Sequence, residues 1–135
     1  MKKDLINKTI TSFKKMKDNL SYNYDENYTK LINTAVDYDN ETNHYLYLYD
    51  TIRDTVDFVE YESLSYHIGK CDNDISRLRF FIGDTRGADL YKLNGYGNLE
   101  NVDNDDFLMC IDACLDKLSN ELNIMQNKKS VEMEL

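Results

Sequence analysis

The sequence predicts a single, mainly α-helical domain over residues 1–135, built as a small bundle of about four helices. The chain contains no proline, so the strongest helix breaker is absent. Its composition, 41% hydrophobic and 30% charged, favours a packed core over disorder. Hydrophobic residues recur at spacings of three and four, which is the period of an amphipathic helix.

The first predicted helix covers residues 3–20. Ile6, Ile10, Phe13 and Leu20 follow helical spacing, and lysines fall between them. Residues 21–27 are rich in Asn, Tyr and Asp and predict a turn or loop.

Residues 28–49 allow two interpretations. A short helix fits residues 28–36, and the alternating, tyrosine-rich run 44–49 allows a short β-hairpin within 31–49. The alternative is a helix over residues 42–62. Its hydrophobic positions are spaced by four and three: Tyr45, Tyr49, Ile52, Val56 and Val59. We favour this helix because its pattern continues beyond the alternating run.

Two further helices are predicted in the second half of the chain. Residues 63–82 carry a hydrophobic pattern that ends at Gly83, and residues 90–102 are expected to form a loop. The last helix covers residues 104–126, with Asp103 or Asn104 as its N-cap. Residues 127–135 are expected to be a frayed tail.

The net charge of −9 is spread unevenly. Residues 1–20 hold six lysines and two aspartates, whereas residues 21–75 hold twelve acidic and three basic residues. So acidic a chain is repelled by nucleic acid and by anionic membranes. We therefore expect no direct nucleic-acid binding outside the basic first helix, and no membrane binding.

The apolar runs and the cysteines of the chain predict its cellular location. No apolar stretch follows the charged start, and no run is long enough to span a membrane. Three cysteines, an odd number, do not suggest a disulfide framework. We expect a cytoplasmic protein, in the host cytoplasm if a phage encodes it.

No motif in the chain predicts catalysis, a cofactor or a metal. Cys71, Cys110, Cys114 and His67 could form a zinc site, but they lack the usual Cys-x-x-Cys spacing, and burial in the core explains the cysteines better. His44 is the other histidine, and neither histidine lies in a known nucleophile arrangement. We therefore expect a protein that is not an enzyme.

A row of carboxylates is the strongest functional candidate. In a helix over 42–62, one side would carry Asp50, Asp54, Asp57 and Glu60, with neighbours about 5–6 Å apart along the axis. That spacing approaches the spacing of phosphates along a nucleic-acid strand, although an ordinary solvated face is the simpler interpretation. The full predicted partner-binding set is Tyr45, Tyr47, Tyr49, Asp50, Asp54, Asp57, Glu60, Tyr61 and Glu62.

These features predict an acidic interaction protein that binds and inhibits a basic, nucleic-acid-handling protein such as a nuclease. In composition the chain is similar to phage-encoded and mobile-element inhibitors of host defence, including anti-CRISPR and anti-restriction proteins that mimic nucleic acid. A helical homodimer serving as a scaffold or accessory factor is the first alternative. A metal-binding protein using the Cys and His residues is the second.

Overall fold

The computed structural model of the chain describes residues 2–60, 90–96 and 99–134. These residues form four helices and one three-stranded antiparallel sheet, which confirms the mainly α-helical class. The helices are α1 (Lys2–Asp18), α2 (Tyr24–Glu41), α3 (Leu48–Thr55) and α4 (Asn104–Glu134). The strands are β1 (Asp57–Glu60), β2 (Leu90–Leu93) and β3 (Leu99–Asn101).

Helix α1 confirms the first predicted helix. Its apolar side chains Ile6 and Phe13 are buried, and its lysines from Lys3 onward are exposed. Near its end, Lys17 Nζ lies 2.8 Å from Asp112 Oδ1 of α4. The basic first helix therefore pairs with the acidic start of the last one.

Helix α2 is longer than predicted and replaces the β-hairpin that residues 31–49 were expected to allow. Asn23 caps the helix, because its side chain accepts a hydrogen bond from the Glu26 backbone N–H. Leu31, Ala35 and Tyr38 then form a buried face with helical spacing. The hairpin prediction was wrong because this spacing carries α2 through the region where the first strand would lie.

The predicted helix over 42–62 was also wrong: within its described part, residues 42–60, only Leu48–Thr55 is helical. Residues 42–47 form a loop between α2 and α3. At the other end, Val56 is extended, with φ −138° and ψ 127°, and the chain enters β1. Val56, Phe58 and Val59 favour strands, and pairing with β2 gives them a sheet to join.

The expected loop over residues 90–102 is a β-hairpin instead. Strand β2 lies between β1 and β3 and is antiparallel to both, with Asp57 opposite Leu93 and Leu93 opposite Leu99. Asn94 Oδ1 accepts a hydrogen bond from the Tyr96 backbone N–H at 2.8 Å, so Asn94 and Gly95 act as turn residues. The loop prediction was wrong because residues 90–93 and 99–101 pair with each other, and β2 also pairs with β1.

Helix α4 begins where the sequence predicted. Asp103 Oδ1 accepts from the Asp106 backbone N–H, and Asp106 Oδ2 accepts from the Asp103 backbone N–H. This reciprocal arrangement is an aspartate version of the capping box. The helical backbone runs to Glu134, so it continues through most of the segment expected to fray.

Helix α4 is the common packing surface for the other helices, and its side chains Phe107, Ile111 and Leu118 are fully buried. None of the described helices is long and apolar enough to cross a membrane. The predicted helix over residues 63–82, with His67 and Cys71, lies outside the described residues.

Candidate functional site

The loop between α2 and α3 has an unusual backbone. Asn43, His44 and Tyr47 have φ values of 54°, 61° and 52°, in the left-handed region. Asn and His tolerate this region better than most residues, but the bulkier Tyr adopts it less readily. Such strain persists only where the surroundings enforce it, and it concentrates at functional sites.

Buried Asp39 holds this loop from the α2 side. Its side chain is 2% exposed, and its two carboxylate oxygens accept hydrogen bonds from the backbone N–H groups of Leu48 and Tyr49, both at 2.9 Å. The Asp39 carbonyl oxygen also accepts from the His44 N–H at 2.6 Å. Tyr47, at the N-cap position of α3, makes no side-chain cap, so Asp39 performs that role from another helix.

Helix α4 holds the same loop from the other side. The Tyr45 hydroxyl donates to Glu121 Oε1 at 3.1 Å, and Lys117 Nζ donates to the Leu46 carbonyl oxygen at 3.2 Å. The hydrogen bond to Glu121 raises the pKa of Tyr45. Burial, followed by the nearby Glu121 charge, raises the pKa of Tyr38 to about 12. Both phenols are therefore neutral at physiological pH, and Glu121 accepts the one O–H of Tyr45.

A pocket of about 240 Å³ opens beside this loop, and we call it the α2–α3 pocket. The rings of His44 and Tyr47 stack with their centroids 6.4 Å apart. The pocket is lined by Val36, Asp39, His44, Tyr47, Tyr49 and Asp50. It therefore combines aromatic walls with two carboxylates.

Comparison with known proteins assigns no family to this chain. No protein-family model matches it, and neither the curated proteins nor the solved structures yield a significant match.

The predicted row of carboxylates is not a helical row. Asp50 and Asp54 are exposed on α3, but Asp57 is exposed on β1, beyond the extended residue Val56. The prediction that these carboxylates are regularly spaced along one helix was wrong, because α3 ends at Thr55. Glu60 contributes its backbone to β1, while Tyr61 and Glu62 lie outside the described residues.

Three of the four predicted tyrosines, Tyr45, Tyr47 and Tyr49, lie in the loop between α2 and α3 and in the first turn of α3. Tyr45 and Tyr47 are exposed and Tyr49 is half-buried, so an aromatic surface adjoins the acids of α3. Asp39 and His44 were not predicted as residues of this site. Asp39 follows helical spacing inside α2, and nothing local indicates that its carboxylate caps another helix.

Two of the candidate zinc ligands are buried in the core. Cys110 and Cys114 are both 0% exposed, and their thiols lie 3.8 Å from the carbonyl oxygens of Ile52 and Leu48. Burial raises the pKa of each thiol to about 12, so both are protonated and poor metal ligands. Within the described part of the chain, no group of three His, Cys, Asp or Glu side chains is arranged for a metal.

Proposed function

We propose that this protein is a non-catalytic interaction protein that binds a basic, nucleic-acid-handling protein through the surface around α3. We call this the α3 surface and define it by Tyr45, Tyr47, Tyr49, Asp50 and Asp54. The observation that carries the proposal is the exposure of Tyr45 and Tyr47 on a strained loop that Asp39 and α4 hold in place. The exposed carboxylates of Asp50 and Asp54 follow directly on α3. Preorganisation of this kind lowers the entropic cost of binding.

The chemistry of the α3 surface suits a partner rich in arginine. Tyrosine is enriched at protein interfaces because it buries a large ring and retains a polar hydroxyl. Carboxylates form charge-assisted, often bidentate hydrogen bonds with arginine. The acidic excess of residues 21–75 adds long-range attraction, which speeds encounter with a basic partner.

Nucleic-acid enzymes expose the kind of basic groove that such a surface would cover. In this proposal the bound protein excludes DNA or RNA from the groove, as an inhibitor of a host-defence nuclease would. The proposal does not need a regular row of phosphate-like charges, because the carboxylates of α3 and the tyrosines act together as one patch.

The test measures binding to purified nucleases and polymerases across a salt series. The variant Asp50→Lys with Asp54→Lys is compared with Asp105→Lys with Asp116→Lys, which makes the same charge change at exposed positions of α4. We expect the first pair to weaken binding by at least about tenfold and the second by much less, with affinity falling as salt rises. Equal effects of the two pairs, or affinity independent of salt, would contradict the proposal.

The homodimer alternative needs the hydrophobic patterns of residues 64–82 and 108–125 to pack between chains. The first pattern lies outside the described residues, and the second lies in α4. Ile111 and Leu118 of that pattern are instead fully buried within the chain itself, against the other helices. We therefore do not propose a dimer through α4.

A further inference from the structure

The α2–α3 pocket has the size of a single side chain. Its volume of about 240 Å³ lies below the range of about 300–1,000 Å³ that is typical for drug-sized ligands. Val36 and the rings of Tyr47 and Tyr49 give it apolar walls, and the ring of His44 supports Tyr47 by stacking on it. A flat or slender group with apolar faces would fit between such walls.

The charge of the pocket selects a cation. Asp39 and Asp50 both line it, and no lysine or arginine among the described residues does. Asp39 already accepts two backbone hydrogen bonds, but each of its carboxylate oxygens has a further lone pair. Asp50 is exposed and can pair directly with an incoming group.

The aromatic walls favour a guanidinium over an ammonium group. A planar guanidinium stacks on aromatic faces and matches a carboxylate with two parallel hydrogen bonds, whereas an ammonium is a compact, strongly hydrated charge. The chain contains its own example, because the Arg53 guanidinium lies 5.7 Å from the centroid of the Tyr49 ring. Tyr49 therefore already contacts a guanidinium from its own helix.

We propose that the α2–α3 pocket receives the side chain of an arginine from the partner, with its planar group against Tyr47 and its charge paired with Asp50. This inference rests on the proposed function, since it names the residue type on the partner that the α3 surface recognises. Arginine is among the residues that most often dominate binding energy at interfaces, where it enters desolvated pockets.

The first experiment titrates the ¹⁵N-labelled protein with three blocked amino acids: arginine, lysine and citrulline, the last being an uncharged analogue of arginine. We expect saturable shifts confined to the backbone amides of residues 36–50 with blocked arginine, weaker shifts with lysine and none with citrulline. Lysine binding as tightly as arginine overturns the choice of a guanidinium. Shifts from citrulline equal to those from arginine overturn the role of charge.

Variants then locate the binding. Tyr47→Ala removes a side chain that is 56% exposed and is expected to abolish the shifts, and Asp50→Asn is expected to weaken arginine binding several-fold. The matched controls are Tyr22→Ala, at a tyrosine that is 91% exposed, and Asp116→Asn, at an exposed aspartate of α4. Controls that lose as much binding as the pocket variants would overturn the assignment, and the spectra show directly whether each variant is folded.

Failure of this inference can be distinguished from failure of the proposed function. If the lysine substitutions at Asp50 and Asp54 abolish partner binding but Tyr47→Ala does not, and blocked arginine gives no shifts, the pocket assignment is wrong and the proposed function stands. If blocked arginine fills the pocket but no basic protein binds, the proposed function is wrong and the pocket still binds a guanidinium.

Discussion

Asp39 in α2 and Leu48 in α3 are joined by a hydrogen bond of 2.9 Å, in which the buried carboxylate accepts from the backbone N–H at the start of the second helix. A helix start usually finds its cap in the residue just before it. Here the cap comes from nine residues earlier. Tyr47 is thereby released from capping, takes a left-handed conformation and presents its ring beside the pocket.

Asp39→Ala is expected to lower the free energy of unfolding by about 2–4 kcal/mol. The substitution leaves two backbone N–H groups at the start of α3 without an acceptor, and each buried unpaired group costs about 1–3 kcal/mol. Urea unfolding followed by circular dichroism measures the change. Asp37→Ala, at an exposed position of the same helix, is the control and should change stability by less than about 0.5 kcal/mol. Equal effects at the two positions would show that Asp39 is not a cap.

Tyr47→Gly is expected to be more stable than Tyr47→Ala by about 1 kcal/mol. The residue has φ 52° and ψ 53°, a conformation that costs an L residue about 1–2 kcal/mol and costs glycine little. Comparing the two variants cancels the loss of the ring, because both lack it. Both should also lose binding of blocked arginine. If the Tyr47→Ala variant is the more stable of the two, the left-handed conformation at position 47 is not retained in solution.

The elements that the sequence predicted are those determined locally. Helix α1 follows from its own hydrophobic spacing, and the start of α4 follows from Asp103 and Asp106, which bond to each other. Residues 42–62 were predicted as one helix, and the change within them from loop to α3 to β1 could not be predicted in this way. This change depends on Asp39 capping α3 from α2, and on β1 pairing with β2, whose residues are at least thirty positions further along the chain.

The candidate site was predicted in composition but not in geometry. The tyrosines and aspartates of residues 45–54 were identified, because their residue types suit an interface with arginine. Two of the residues that line the pocket, Val36 and Asp39, come from α2. Its shape also depends on positive φ values at Asn43, His44 and Tyr47, none of which is glycine. A periodicity argument that assumed a continuous helix could not reveal either feature.

Lys92→Met is expected to lower the free energy of unfolding by about 1–2 kcal/mol near pH 8, because Asp106 loses its cationic partner in a partly buried site. Lys92 Nζ lies 2.8 Å from Asp106 Oδ1, and the two side chains are 21% and 8% exposed. Lys30→Met is the control. It breaks an exposed ion pair with Glu26, which contributes at most about 0.5 kcal/mol.

The same pair predicts a dependence on pH. Burial lowers the pKa of Lys92, but its hydrogen bond and the charges of Asp106, Asp103 and Glu100 outweigh burial and raise it above 10.5. The stabilisation is therefore fully present below about pH 10.5 and is lost as the pH rises through the raised value. The difference between the native protein and Lys92→Met should shrink in urea titrations at pH 11. A difference that stays constant would exclude a contribution from the charge.

Cys110 and Cys114 are expected to resist alkylation in the folded protein. Both thiols are fully buried, and burial raises the pKa of each to about 12, so thiolate is scarce at pH 8. The measurement uses iodoacetamide and mass spectrometry on a Cys71→Ser variant, so that any labelling reports these two residues. Labelling should become complete in urea. Full labelling of the folded variant at the rate seen in urea would show that reagent reaches the thiols through the packing around α4.

Phe58 and Phe107 are expected to couple the sheet to the helices. Their rings stack with centroids 5.6 Å apart and an interplanar angle of 15°, which joins β1 to the buried start of α4. Aromatic pairs contribute about 0.5–1.5 kcal/mol beyond the area they bury. A double-mutant cycle with Phe58→Leu and Phe107→Leu should give a coupling energy of this size, since leucine keeps the sites apolar. Phe58→Leu with Phe13→Leu is the control cycle, because Phe13 lies in α1 and forms no ring pair with Phe58 within the described residues. Equal coupling energies in the two cycles would mean that stacking of the Phe58 and Phe107 rings does not stabilise the contact between β1 and α4.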